Sequence, residues 1–271
     1  MGSMPVTTFL ETGDVRLRVV DFGGSGIPIL LLHGLCGTAN EWFETASWLH
    51  NHARVVAYDQ RGHGESTRSP HDLGRDALVR DAVAVMDALQ MQNTILIGQS
   101  IGGRIALLLA STLPDRIRAS VLVEAGAAEN PEAKDDVRRW LCKCPASFAS
   151  EAEAAAFLEA AGLPPAGWIT NLEHRSHRLF PAFAPEVMLA IVEDAANVSL
   201  WENWSAIRSE ILLVGGEHGF VKRTEFERML TLNAQACFVE VQQAGHDVHL
   251  SGSADWKRII IEFIERVALR T

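Results

Sequence analysis

Ser100 stands in the run Gly98-Gln99-Ser100-Ile101-Gly102, with Gly103 next. The apolar segment Thr94–Ile97 precedes it and the helical pattern Arg104–Ala110 follows. A G-x-S-x-G sequence between a strand and a helix makes a tight turn that lifts the serine hydroxyl above the end of a sheet. Serine is a weak nucleophile until a base takes its proton and an acid orients that base. His246, in Gly245-His246-Asp247 after the last strand pattern, is the candidate base, with His249 and His218 as weaker competitors. Acyl transfer also needs backbone N–H groups aimed at the developing oxyanion. Ile101, next after the serine, supplies one. Leu35, in His33-Gly34-Leu35-Cys36-Gly37 after an earlier strand, is the candidate for the other.

These residues must be carried by a sheet. Short apolar runs at Val15–Phe22, Ile27–Leu32, Arg54–Tyr58, Thr94–Ile97, Ile117–Glu124, Ile211–Val214 and Cys237–Val241 read as strands. Several are continuously apolar, as strands buried on both faces are. Helical patterns alternate with them, notably Leu73–Leu89 and about 253–267, so an α/β fold with a mostly parallel sheet is expected. Val6–Thr12 is expected to pair with the first of these strands as a hairpin. From about 126 to 199 the pattern changes to Ala, Glu and Arg punctuated by proline, and reads as several short helices without a strand. The division expected is a core of 1–126 and 200–271, with a helical lid of 127–199 over the strand ends. Trp140, Trp168 and Phe183 are candidates to line an apolar pocket beneath it, against the simpler reading that such aromatics only glue the lid down.

The His33-Gly34 loop, the segment Tyr58-Asp59-Gln60-Arg61-Gly62-His63-Gly64-Glu65-Ser66, the serine turn and Gly245-His246 together resemble the α/β-hydrolase family, in family order over nearly the whole chain. The resemblance implies an eight-stranded, mostly parallel sheet with a helical lid, and a Ser–acid–His triad. It also implies that Asp59, Arg61 and His63 brace loops near the site. One position departs from the pattern. The acid usually lies three residues beyond a glycine after the strand that follows the lid, and here that position is Gly219. Three explanations stay open. Glu124, at the tip of the preceding strand, resembles the arrangement of haloalkane dehalogenases and zearalenone-type lactone hydrolases. Glu217 lies two residues short of the usual place. In the third, no acid is present.

The resemblance points to hydrolysis of a carboxylic ester or lactone of a small hydrophobic substrate. Serine at the nucleophile position argues against dehalogenases and epoxide hydrolases, which use aspartate. Gln99 stands where carbon–carbon bond hydrolases carry asparagine, yet Arg175 and Arg178 keep an acidic substrate in play. A cofactor-free oxygenase or peroxidase on the same framework also stays open, as does a non-hydrolytic small-molecule binder, since fold does not fix function.

Composition narrows the rest. A formal net charge of −10 over 271 residues, with no basic patch, argues against nucleic acid and anionic membranes. Hydrophobic residues, 48% of the chain, suffice for a sizeable core. Met1-Gly2-Ser3 before Met4 reads as a cloning remnant, and Val6 replaces the Ser or Thr of a myristoylation signal. Neither a secretory leader nor an apolar run of roughly 18 residues is visible, so a cytoplasmic protein is expected. Cys142-x-Cys144 and His174-x-x-His177 lack the partners of a metal site. The histidines read as solvated helix residues, and no cofactor or metal is expected.

Overall fold

A computed structural model describes residues 4–252 and 254–269, so the first three residues and the expected helix start at Ser253 lie outside the described part. The elements follow in chain order: β1 (Val6–Thr12), β2 (Val15–Gly23), β3 (Pro28–Leu32), α1 (Phe43–Leu49), β4 (Arg54–Tyr58), α2 (Arg75–Ala88), β5 (Thr94–Gln99), α3 (Ile101–Thr112) and β6 (Ile117–Val123). An insert then carries α4 (Ala133–Leu141), α5 (Glu151–Ala160), α6 (Pro165–Ile169), β7 (Leu172–Arg175), β8 (Arg178–Pro181) and α7 (Pro185–Ala196). The chain closes with α8 (Trp201–Ala206), β9 (Glu210–Gly216), α9 (Arg223–Leu232), β10 (Ala236–Val241) and α10 (Ala254–Ala268).

Eight strands form one sheet in the order β1-β2-β4-β3-β5-β6-β9-β10. β2 runs antiparallel to β1 and β4, and the remaining pairs are parallel. The continuous apolar runs resolve into alternating faces, because successive side chains point to opposite sides of a strand. Leu30, Val56, Leu96, Leu122 and Leu213 pack toward α2 and α3. Leu31, Val55, Ile97, Val121 and Leu212 pack toward α1 and α10. Both faces are thus covered, which is why these strands tolerate no polar alternation. No helix among the described residues is long and apolar enough to cross a membrane.

The insert departs from the expectation of helices alone. β7 and β8 pair as an antiparallel hairpin, and His174 lies in its first strand, not on a helix. Its two-residue turn is Ser176-His177, with φ of 46° and 65°. Such turns need left-handed backbone at both positions and usually advertise themselves with Asn-Gly or Asp-Gly. Here neither the turn nor the four-residue, arginine-bearing strands carry that signal. Leu179 of β8 is buried and bridges Phe148, which anchors the hairpin to the rest of the insert.

Candidate active site

The loops that leave the carboxyl ends of β3, β4, β5, β6, β9 and β10 carry the residues of interest, where ligand sites of open α/β sheets lie. Ser100 links β5 to α3 with φ 52° and ψ −115°, a strained conformation for a residue with a side chain. The turn is enforced from both sides. A Cβ on Gly98 would lie 2.3 Å from Gly102 O, and one on Gly102 would lie 2.3 Å from Leu32 O. The Ser100 N–H donates to Val123 O at 2.8 Å, which ties the turn to the neighbouring strand.

Glu124 leaves the end of β6, also at positive φ (48°), with its N–H on Val214 O at 2.9 Å. Its carboxylate is buried and collects three backbone donors. Gly216 N–H reaches Oε1 at 2.9 Å, and the N–H groups of Phe220 and Val221 reach Oε2 at 2.7 and 3.2 Å. His246 Nδ1 lies 3.3 Å from the same Oε2. A carboxylate so surrounded is an acceptor toward the ring, so the proton belongs on Nδ1 and Nε2 is left as the basic nitrogen. The Phe220 ring stacks on the imidazole with centroids 4.5 Å apart, although Phe220 is 74% exposed.

The same carboxylate accounts for Gly219. A Cβ there would lie 2.0 Å from Glu124 Oε1. The loop after β9 therefore closes around a carboxylate that comes from β6, and any side chain at 219 would have to displace it. Glu217 sits elsewhere: its Oε2 accepts the Gln243 N–H at 2.8 Å on the exposed side of the loop.

The loop after β3 is held by buried imidazoles. His33 Nε2 accepts the Gln60 N–H at 2.9 Å. His63 Nε2 accepts the Cys36 N–H at 3.2 Å, and its Nδ1 faces Arg61 O at 3.0 Å. Burial pushes His63 down to about 3, so it is neutral, with Nδ1–H donating. Gly37 N–H closes a turn onto Gly34 O at 3.2 Å, with Leu35 inside it. Neither the Leu35 nor the Ile101 N–H has a protein acceptor among the described residues; Ile101 opens α3, where first-turn amides lack one. Asp59 braces rather than faces the site, accepting Ala39 N–H and Glu65 N–H, both at 2.8 Å. Arg61 makes a two-pronged contact to buried Asp81 at 2.7 and 2.8 Å.

An apolar cleft opens between the insert and this loop, lined by Cys36, Trp140, Phe148, Trp168, Leu172 and Phe183 among others. Trp140 packs against Trp168 and Phe183, with ring centroids 5.7 and 6.1 Å away. Trp204, by contrast, is fully buried and only anchors α8 to α9 through Met229 O. Arg175 is engaged by Glu173, and Arg178 by Ser147, both on exposed parts of the hairpin. Neither lines the cleft.

Motif reading missed several polar contacts. Gln99 Nε2 donates to His246 O at 3.2 Å and to Asp247 Oδ1 at 3.1 Å. Trp168 Nε1 donates to Asp247 Oδ2 at 2.7 Å. Asn171 contacts Thr38 and Glu41, and Glu41 contacts His249. No short motif encodes them, because the partners lie far apart in sequence.

Residues 27–185, more than half of the chain, match the family model described as alpha/beta hydrolase fold. The chain is 38% identical over 125 residues to 2-hydroxymuconate semialdehyde hydrolase of Pseudomonas sp. strain CF600, covering 43% of this chain and 42% of that one. It is 26% identical over 251 residues to N-formylmaleamate deformylase of Pseudomonas putida strain KT2440, covering 89% and 91%. The match spans less than half the length of some curated relatives, 34% and 42% in two cases. The crystal structure of E-2-(acetamidomethylene)succinate hydrolase superposes with a TM-score of 0.88 at 21% identity, covering 97% of this chain and all of that one, a likeness of fold.

Proposed function

The chain belongs to the alpha/beta hydrolase fold family, and on that premise we propose a serine hydrolase that cleaves carboxylic esters or lactones of small apolar acids through an acyl-enzyme. The observation that carries this reading is the Glu124 carboxylate 3.3 Å from His246 Nδ1, with the His246 carbonyl held by Gln99, the residue before a serine on a strained strand-to-helix turn. Ser100 Oγ attacks the carbonyl carbon while His246 Nε2 takes its proton. The Leu35 and Ile101 amides receive the oxyanion. Collapse breaks the bond to the alcohol oxygen, which takes the proton back from His246. Water activated by the same ring then attacks the acyl-enzyme, and acid and free serine result. Glu124 holds the ring in the tautomer this cycle needs and stabilises the imidazolium. The insert acts as the lid, and its cleft takes the acyl group.

The apolar cleft favours uncharged substrates. Buried carboxylates need a paired cation, and Arg175 and Arg178 are engaged on the hairpin surface. This favours ester or lactone cleavage over the carbon–carbon bond hydrolysis of acidic substrates. Two measurements test the proposal. A fluorophosphonate should label Ser100, and Ser100→Ala should lose labelling together with at least about 10³-fold in kcat on p-nitrophenyl hexanoate. Full activity in that variant removes the proposal. An otherwise matched ester bearing a terminal carboxylate on the acyl chain should be cleaved about tenfold or more slowly; equal rates would overturn the assignment of an uncharged acyl site.

A further inference from the structure

Residues 33–38, the stretch that bears Leu35, are held by three partners, with Asp59 on the next amide, that of Ala39. Two anchors come from the sheet's own loops: Gln60 on His33, and His63 on the Cys36 amide. The third comes from the insert. Asn171 Oδ1 accepts both the Thr38 N–H at 3.0 Å and the Thr38 hydroxyl at 2.7 Å. The hydroxyl direction is fixed, since Thr38 Oγ1 itself accepts the Asn40 N–H at 3.2 Å. The amide orientation of Asn171 is fixed as well. Its Nδ2 donates to Glu41 Oε2 at 3.2 Å, and Glu41 Oε1 faces His249 Nε2 at 3.0 Å. Thr38, Glu41, Asn171 and His249 are all buried. The same stretch of the insert reaches the base loop, where Trp168 Nε1 holds Asp247, the residue after His246.

We infer that Asn171 is a positioning residue for catalysis: seated in the closed lid, it sets the oxyanion loop through Thr38, so docking of segment 168–171 completes the site. This rests on the serine-hydrolase reading above. The physical reason is economy of donors. Thr38 N–H and Oγ–H are buried and must be paired. In this arrangement the group that pairs them belongs to the lid. With the lid lifted they turn to water, and the Gly34–Gly37 turn loses its anchor on that side. An oxyanion donor displaced by a fraction of an ångström loses most of its effect, because the donor must meet charge where it develops.

The test uses the full chain with Asn171→Ala and Thr38→Val, alone and together. Thr38→Val keeps the backbone contact and removes only the hydroxyl. Asn171→Ala should lower kcat on p-nitrophenyl hexanoate about 10- to 100-fold with KM within threefold, and slow fluorophosphonate labelling of Ser100 by a similar factor. Thr38→Val should cost several-fold in both rates. The double variant should be close to Asn171→Ala, because that variant already lacks the hydroxyl contact that Thr38→Val removes. The inference is overturned if folded Asn171→Ala keeps kcat and labelling within threefold of wild type, or if only KM rises. Should Asn171→Ala fail to fold, Thr38→Val decides: kcat and labelling within twofold of wild type overturn it. Absence of labelling in the wild type would instead strike the serine-hydrolase reading itself.

Discussion

Glycine at position 219 and glutamate at position 124 are one feature written in two places. A Cβ at 219 would sit 2.0 Å from the Glu124 carboxylate, so the acid of β6 excludes a side chain where the family's acid usually begins. Gly219→Ala should therefore displace the Glu124 carboxylate and, on the proposed mechanism, reduce kcat about 10²- to 10⁴-fold, the range expected when a triad loses its orienting acid. Circular dichroism and steady-state kinetics on a p-nitrophenyl ester check it together. Glu124→Gln should fall in the same range, while Glu217→Gln, whose carboxylate meets the Gln243 amide and the exposed His218 ring, should stay within about twofold. A reversed result returns the acid to Glu217. At this scale the positions of the candidate serine and histidine at strand ends were legible, because each lies in a short motif beside its strand. Which carboxylate meets His246 stayed open in the sequence, since the close approach at Gly219 depends on a carboxylate 95 residues earlier in the chain. Asn171 was invisible: it meets Thr38 across 133 residues, and asparagine after a short helix carries no signature.

The sheet was legible at the scale of elements because burial on both faces leaves an unbroken apolar record in β3, β5 and β9. α1 and α9 left a weaker record, and the β7–β8 hairpin left almost none, with two left-handed turn residues that are neither Asn nor Gly. How the insert is tied to the sheet also lay outside the patterns. Arg104, on α3 just past the serine turn, sends Nη1 to Gly126 O and Ala128 O at 2.8 and 2.9 Å. Its Nη2 reaches Ala195 O and Val198 O at 3.2 and 2.6 Å. One guanidinium thus clasps both ends of the insert, and burial lowers its proton affinity, a sign of how little water reaches it. Replacing it with methionine strands four carbonyls. Arg104→Met should cost about 2–4 kcal/mol in urea unfolding. Limited proteolysis should then cut first between 127 and 199; an unchanged pattern and midpoint would show that the clasp contributes nothing.

Across the whole molecule, the insert and the strand-end loops share one buried polar layer, and its weak point is set by pH. His63 sits in that layer. Its Nε2 holds the Cys36 amide, and its own backbone bridges Phe183 of the insert. Burial depresses its folded pKa to about 3, against 6.5 for the free side chain. Below 6.5 the unfolded chain therefore binds a proton that the folded chain refuses. Stability from the neutral ring is complete above that value and is lost as the pH falls from 6.5 toward 3, because the unfolded state binds more protons in this window. The steepest contribution from one such group is about 1.4 kcal/mol per pH unit. Carboxylates add their own acid sensitivity, so the informative quantity is a difference. Urea unfolding of wild type and His63→Gln at pH 7.5, 5.5 and 4.5 should show the variant less stable at pH 7.5, where it lacks the ring. The gap should close as the pH falls, since glutamine has no proton to gain. Parallel pH profiles for the two proteins would mean that His63 takes its proton inside the fold, and that the strand-end layer is more hydrated than its packing indicates.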